Sequence, residues 1–141
     1  DLGVLLTTLG ELYNADVDGP PIKVSVPENL NVPALESRLT QVFRNLISNA
    51  ITFTPDGGDV RVRAWREKNW AVITIEDDGP GIPPGKEEAI FNRFYTERPS
   101  TEKFGQHSGL GLSISKRIIA AHNGELSAQK GAVFTIRLPL D

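Results

Sequence analysis

The sequence reads Asp77-Asp78-Gly79-Pro80-Gly81 after an alternating apolar strand, and Ser108-Gly109-Leu110-Gly111 directly before a helix-like segment. A helix that begins after small residues presents unpaired N–H groups and the positive end of its dipole, an arrangement that binds phosphate. A carboxylate at the end of a buried strand is suited to accept a hydrogen bond from the amino group of a purine. The two glycine turns therefore predict a nucleotide held between them, beneath a flap formed by the polar stretch that separates them.

The bulk properties of the chain restrict its class. It has 141 residues, a net charge of −3, and neither cysteine nor methionine. This length fits a single domain, residues 1–141, that buries roughly two thirds of its surface. The acidic balance and the absence of a basic cluster argue against nucleic acid as a partner. The lack of cysteine excludes thiolate metal sites, and the lack of methionine leads us to expect a fragment of a longer protein.

Hydrophobic periodicity predicts three helices and five strands. The predicted helices cover residues 1–14, 33–53 and 112–121, and the predicted strands cover residues 22–26, 60–65, 71–75, 125–128 and 133–138. The first strand ends at Pro27 and is predicted to lie at an edge of the sheet. This order of elements predicts an α/β fold, specifically a two-layer sandwich with an open sheet. Phe91 and Phe94 are predicted to be core aromatics that anchor the polar stretch.

Asn45 and Asn49 lie four residues apart and therefore share one face of the predicted second helix. Asn49 falls inside the apolar stripe of that helix and Asn45 at its edge. Two interpretations remain open at this point. Both carboxamides could bond to neighbouring backbone, since buried polar groups need partners. Alternatively, Asn49 offers its oxygen to a hard cation such as Mg²⁺, and Asn45 orients a phosphate or a water.

The glycine turns and the two histidines also leave alternatives open. Asp77 or Asp78 could simply cap a turn, and Ser108 could simply cap a helix. The sequence contains no P-loop motif, and no dinucleotide-binding glycine motif follows the first strand. His107 lies in the second glycine turn and His122 at a helix C-terminus, where the dipole favours a cation. Neither histidine is expected to carry a phosphate.

The order and spacing of these motifs closely resemble those of the catalytic ATP-binding domain of sensor histidine kinases, within the gyrase, Hsp90, histidine kinase and MutL superfamily. Residues 44–55 match the N box of that family and residues 77–83 its first glycine box. Residues 90–95 match its F box, and residues 108–114 its second glycine box. Residues 131–139 fit the typical ending, so the resemblance covers essentially the whole chain.

The resemblance implies the Bergerat fold, a mixed sheet of about five strands covered by three helices, with a mobile ATP lid at about residues 83–108. It implies that Asn49 coordinates Mg²⁺, that Asn45 supports the phosphate–metal cluster and that Asp77 bonds the adenine amine. Asn45 and Arg93 are the catalytic residues that it implies. The remaining contacts to ATP that it implies are Phe53, Gly79, Gly81 and Ile82 around the base, Arg93 near the phosphates, and Ser108, Gly109, Leu110, Gly111 and Leu112 on the lid side.

The activity that the resemblance implies is that of a protein-histidine kinase. The domain would donate the γ-phosphate of ATP to a histidine on the dimerisation domain of the same sensor, for relay to a response regulator receiver domain. Hydrolytic relatives carry a glutamate base at the position of Asn45, and asparagine cannot act as that base. Asn45 therefore predicts phosphoryl transfer, which needs mainly positioning and charge stabilisation.

The resemblance also implies where this domain stands in its parent protein. The phosphoacceptor domain is absent from this chain, and residues 1–14 resemble the segment that leads out of it. We expect the isolated domain to be monomeric and the parent to be a homodimer. The parent is expected to be an inner-membrane bacterial sensor that carries this domain in the cytoplasm.

Two alternatives to a histidine kinase remain open, and departures from the family pattern bear on the first of them. Thr52 stands where many members have a lysine, and Gln106 and His107 replace glycines before the second glycine box. These changes are the only support for a nucleotide-binding regulatory module that has lost transfer activity. A serine kinase of the anti-sigma-factor type shares the same fold, but the F box and the extended lid disfavour it.

Overall fold

The computed structural model describes residues 1–15, 20–27, 29–55, 57–79, 89–91, 111–129 and 133–140. Within these ranges the helices are α1 (Leu2–Asn14), α2 (Glu36–Phe53) and α3 (Gly111–Ala121), with a short 3₁₀ turn at Ala89–Phe91. The strands are β1 (Ile22–Ser25), β2 (Val60–Glu67), β3 (Trp70–Asp77), β4 (Glu125–Gln129) and β5 (Val133–Pro139). None of these helices combines the length and the apolar character needed to cross a membrane.

The five strands form one mixed sheet in the order β1-β2-β3-β5-β4. β1 runs parallel to β2, and the other neighbours are antiparallel. Successive strand residues face opposite sides of a sheet, so the register pairs Val62–Ile75 and Ala64–Ile73 lie on the same face. These side chains are buried under the helices. The predicted two-layer sandwich, a five-stranded mixed sheet with three helices, is confirmed.

Two predicted boundaries were wrong for tertiary reasons. α2 begins at Glu36 rather than at residue 33, because Leu35 is extended (φ −83°, ψ 110°) and supplies no side-chain cap. The strands of the β2–β3 hairpin are longer than the predicted strands at residues 60–65 and 71–75. Its ladder continues to the pair Val60–Asp77, which makes Asp77 the last residue of β3.

The side chain of Asn14 attaches α1 to the edge strand β1. Its Nδ2 donates to the carbonyl of Ile22 (2.9 Å), and its Oδ1 accepts from the N–H of the same residue (2.8 Å). This pair of bonds occupies both backbone groups of Ile22, as a neighbouring strand would. Tyr13 connects α1 to α2 through a hydroxyl contact with Ser48 of 3.0 Å. The edge position predicted for β1 is confirmed.

Phe91 of the F-box segment packs against the sheet and α3. Its ring is buried and meets that of Phe134 edge to face, with centroids 6.2 Å apart. Lys116 of α3 lies 4.5 Å above the Phe91 ring, and its Nζ donates to the carbonyl of Leu126 (2.9 Å). The prediction that Phe91 is a core aromatic is confirmed, whereas Phe94 lies outside the described residues.

Candidate functional site

The carboxylate of Asp77 lies buried at the end of β3, with 6% of the residue exposed. Its register partner, Val60, is fully buried and shares the helix-covered face of the sheet. Oδ1 of Asp77 accepts a hydrogen bond from the Gly79 N–H at 2.6 Å, which closes a tight turn directly after the strand. The carboxylate is thereby fixed on the side of the sheet that faces α2.

The two adjacent carboxylates of this turn occupy opposite electrostatic environments. Burial raises the pKa of Asp77, and the Gly79 N–H opposes that shift. The pKa of Asp78 is lowered, because the Asp59 N–H and the Arg61 guanidinium both donate to it. Asp78 is therefore the ion-paired member of the pair, and Asp77 is the member on the helix-covered face.

Gly79 brings the Asp77 turn against the last turn of α2. A Cβ atom at this position would stand 2.5 Å from the carbonyl oxygen of Phe53 and 2.6 Å from Oδ1 of Asp77. Both neighbours are firmly placed, so no larger residue fits without moving the turn. Gly79 is thus needed for the close approach between the end of β3 and the end of α2.

Asn45 connects α2 to the start of α3. Its Nδ2 donates to the Gly111 carbonyl (3.4 Å) and to Oγ of the fully buried Ser115 (3.3 Å). Asn49 follows one turn later on the same face of α2, with 7% of the residue exposed, and Phe53 one turn after that. This face, residues 45, 49 and 53, spans about 12 Å of helix from the α3 N-terminus to the Asp77 turn.

The structure thus brings seven of the predicted site residues into one described region. They are Asn45, Asn49, Phe53, Asp77, Gly79, Gly111 and Leu112. The other predicted site residues lie outside the described residues: Gly81, Ile82, Arg93, Ser108, Gly109 and Leu110. Two polar residues that the sequence analysis did not single out also belong to the region. Ser115 accepts a hydrogen bond from Asn45, and Arg61 forms an ion pair with Asp78. Ser115 could have been identified from the sequence, because it is a polar residue inside the apolar stripe of the last helix.

A family profile described as the histidine kinase-, DNA gyrase B- and HSP90-like ATPases matches residues 34–141. The chain belongs to this ATPase family. Membership assigns ATP as the nucleotide of the domain, and the observed architecture is the Bergerat fold of the family. The resemblance inferred from the motifs is therefore confirmed.

Similar proteins within the ATPase family include sensor kinases. The sensor protein ChvG of Agrobacterium fabrum is 46% identical over 112 residues, which are 72% of this chain and 19% of ChvG. The nucleotide-free catalytic domain of the histidine kinase ThkA matches 99% of this chain and 92% of that domain, with a TM-score of 0.81 and 28% identity. ThkA is also known in complex with the response regulator protein TrrA. Full-length ShkA with AMPPNP matches 99% of this chain and 30% of ShkA, with a TM-score of 0.78 and 29% identity.

Two glycines of this ATPase domain differ in the space available for a side chain. At Gly111 a Cβ would meet its nearest neighbour, Asn45, at 3.6 Å, an ordinary contact. We therefore expect Gly111→Ala to leave the free energy of unfolding within about 0.5 kcal/mol of the wild type. Gly79→Ala should destabilise the domain by about 1–3 kcal/mol, because its Cβ overlaps the Phe53 carbonyl. Urea denaturation measures both values, and equal losses would contradict this assignment.

His122 joins the end of α3 to the start of α2. Its Nε2 accepts the Leu35 N–H at 3.2 Å, and its Nδ1 contacts the Ile118 carbonyl at 2.8 Å. Both ring nitrogens are engaged, which supports the prediction that His122 does not accept a phosphate. His107 lies outside the described residues.

We expect His122→Ala to lower the free energy of unfolding by about 1 kcal/mol, because it removes the acceptor of the Leu35 N–H and a typical hydrogen bond contributes about 0.5–1.5 kcal/mol. His122→Gln keeps a side-chain acceptor of similar reach and should lose less. Chemical denaturation of the two variants beside the wild type measures the difference. A Gln variant that is as unstable as the Ala variant would show that the acceptor atom contributes nothing.

Proposed function

We propose that this chain is the catalytic ATP-binding domain of a protein-histidine kinase that donates the γ-phosphate of ATP to a histidine of its own dimerisation domain. The observation that carries the proposal is the buried Asp77 carboxylate, fixed on the helix-covered face where the end of β3 meets the end of α2. It lies at the opposite end of the α2 face from the α3 N-terminus. The ligand bound by ShkA, AMPPNP, supports the same class of nucleotide for this chain.

In this proposal the adenine lies beside Asp77, which accepts a hydrogen bond from the exocyclic amine. Phe53 packs near the base, and Gly79, Gly81 and Ile82 shape its pocket. The triphosphate extends along the α2 face toward the N-terminus of α3, where the positive end of the helix dipole favours negative charge. On that side the proposed contacts are Arg93 and the second glycine box with its neighbour, that is Ser108, Gly109, Leu110, Gly111 and Leu112.

We propose Mg²⁺ as the metal of this site and Asn49 as its protein ligand. Mg²⁺ prefers oxygen ligands and keeps several waters, so a single buried carboxamide oxygen beside a triphosphate fits it. When bound, the ion would offset phosphate charge. Thr52, whose hydroxyl donates to the Ser48 carbonyl at 3.0 Å, adds no positive charge where many family members have lysine. Arg93 is therefore the proposed protein cation near the phosphates.

Asn45 favours transfer to another group over hydrolysis. Its amide nitrogen donates to α3, and a carboxamide cannot remove a proton from water. In the transfer step, a ring nitrogen of the acceptor histidine bonds to the γ-phosphorus as the bond to the β-phosphate oxygen breaks, and ADP leaves. Asn45 holds the α3 N-terminus in place during this exchange, and the acceptor supplies its own nucleophile.

The parent protein is part of the proposal, since the chain spans only 19% of the length of ChvG. We propose residues 1–141 as a single catalytic domain, residues 1–14 as the segment nearest the phosphoacceptor domain, and about residues 83–108 as the ATP lid. The partners are that domain and a response regulator receiver domain, as TrrA is for ThkA. The parent is proposed to be a homodimeric, membrane-anchored bacterial sensor with this domain, monomeric alone, in the cytoplasm.

A reconstituted transfer reaction tests the proposal. The chain is mixed with the separately produced dimerisation domain of its parent, γ-labelled ATP and Mg²⁺, and the label is followed by acid and alkali treatment. We expect acid-labile, alkali-stable phosphate on the dimerisation domain and none on this chain. Tight ATP binding without transfer would indicate the regulatory module instead, and acid-stable phosphate on a partner would indicate a serine kinase.

A further inference from the structure

A cluster of five charged side chains lies on the open face of the sheet, directly behind the Asp77 turn. We call it the Arg61 cluster, and its members are Lys23, Asp59, Arg61, Glu76 and Asp78. Arg61 is at its centre, on β2, with 27% of its side chain exposed. Neither the predicted nucleotide contacts nor the proposed transfer chemistry uses any of these residues.

Arg61 reaches carboxylates on both strands of the hairpin. Its Nη2 lies 3.1 Å from Oδ1 of Asp78, and its Nε lies 3.6 Å from Oε2 of Glu76, its register partner on β3. Its Nη1 forms an ion pair with Asp59, which also binds Lys23 at 2.7 Å. The planar guanidinium presents donors in several directions, so one side chain can hold three carboxylates.

Asp78 receives a second donor from the backbone. Its Oδ2 accepts the Asp59 N–H at 2.9 Å, while Oδ1 faces Arg61. The last backbone register pair of the hairpin is Val60–Asp77. The Asp78 side chain thus continues the connection between the strands by one residue, at the point where the chain turns away toward Gly79.

We propose that Arg61, acting through Asp78, is a positioning residue for the adenine-binding turn and sets the affinity of the domain for ATP. Asp78 is fixed on the open face, so Asp77, its chain neighbour, is held on the helix-covered face against α2. The Gly79 N–H then reaches Asp77 at 2.6 Å. This inference rests on the proposed function, because it assumes that Asp77 is the residue that recognises the base.

The same contacts connect ATP affinity to pH. Burial raises the pKa of Asp77 and the Gly79 N–H lowers it, while the two nearby charges oppose each other: Asp78 raises this pKa and Arg61 lowers it. α2, which packs against the turn, has no basic residue in its last turn. Removal of the Arg61 charge should therefore move the acid limit of ATP binding to higher pH, and removal of the Asp78 charge should move it to lower pH.

A double-mutant cycle on the whole chain tests the inference. Arg61→Gln, Asp78→Asn and the double variant are titrated with ATP by calorimetry, after circular dichroism has verified their fold. We expect each single variant to bind ATP about tenfold more weakly, and the double variant to bind no more weakly than either, because residues in contact are energetically coupled. The acid limits of the two single variants should move in opposite directions.

Arg63→Gln is the matched control. Arg63 lies two residues along β2 on the same face, is exposed, and has the uncharged Thr74 as its register partner. The Arg63→Gln variant loses the same charge as Arg61→Gln and should bind ATP like the wild type. Arg61→Lys keeps the charge without the planar fork, so it should retain the wild-type acid limit with weaker affinity. If Arg61→Gln does not fold, Arg61→Lys and Asp78→Asn still decide the question.

The possible failures are distinguishable. A wild-type chain that does not bind ATP would overturn the proposed function, and this inference with it. A wild-type chain that binds ATP, together with an Arg61→Gln variant of equal affinity and unchanged acid limit, would overturn the inference alone. Additive losses in the double variant would also overturn it, because they would show that Arg61 does not act through Asp78.

Discussion

Asp77→Asn is expected to weaken ATP binding by about ten- to hundredfold while it makes the domain more resistant to denaturation at neutral pH. The loss of affinity follows from the hydrogen bond to a charged acceptor, which contributes about 1.5–3 kcal/mol. The gain in stability follows from burial, which raises the pKa of Asp77 and so disfavours its ionised form in the folded state. The folded domain is favoured when Asp77 is protonated, because the neutral carboxyl is buried at a lower cost. This contribution to stability is complete below the pKa of Asp77 in the unfolded chain, and it is lost as the pH rises through the pKa in the folded domain.

The stability difference between this variant and the wild type should therefore shrink as the pH falls, because the wild-type carboxyl becomes neutral too. Urea denaturation at neutral pH and at about pH 3, below the ordinary value for aspartate, measures this. Asp78→Asn is the matched control with the opposite sign: the Asp59 N–H and Arg61 lower the pKa of Asp78, so its contribution is present at neutral pH and lost on acidification. An Asp77→Asn variant that is less stable at neutral pH would contradict the burial argument.

Substitution of Asn49 should change how strongly ATP binding depends on Mg²⁺, in a direction set by the replacement. Asn49→Ala removes the proposed oxygen ligand, so the affinity measured with Mg²⁺ should fall toward that measured in a chelator. Asn49→Asp keeps the shape and adds a negative charge beside the phosphates. It should bind ATP poorly in the chelator and recover with Mg²⁺, since carboxylate oxygens are strong ligands for this ion.

The ratio of the two affinities, with Mg²⁺ and with chelator, is the decisive quantity because it cancels a uniform loss of binding. Calorimetric titration of the wild type and both variants supplies it. Loss of the buried carboxamide in the Ala variant should also destabilise the domain by about 1–3 kcal/mol, so each protein is first tested for folding. A ratio equal to that of the wild type in both variants would remove Asn49 from the metal site.

The periodicity of apolar residues predicted the order and type of every described helix and strand. This succeeded because each element buries one regular face, as the α2 residues Phe43, Leu46 and Ile47 do. The start of α2 was missed because the backbone N–H of Leu35 finds its acceptor in His122, which lies 87 residues away in sequence. The end of β3 was missed because Glu76 and Asp77 are polar and are kept in the strand by pairing with β2.

Sequence alone identified the candidate residues that lie within short motifs, and it missed the residues that are brought together only by the fold. Asn45, Asn49 and Asp77 were singled out because a short motif surrounds each of them. The Arg61 cluster was not predicted, because its members are separated along the sequence and meet only through the register of β1, β2 and β3. Arginines alternate with apolar residues along β2, but this pattern does not specify which carboxylates lie opposite them.

The contact between Asn14 and β1 affects how this domain can associate with other chains. An edge strand with free backbone groups is a template onto which a strand from another molecule can add, a common route to aggregation. Here the Asn14 side chain already occupies both the N–H and the carbonyl of Ile22. A strand that approached along β1 would first have to displace this side chain, and with it the end of α1, so the two hydrogen bonds oppose strand addition at the β1 edge of the sheet.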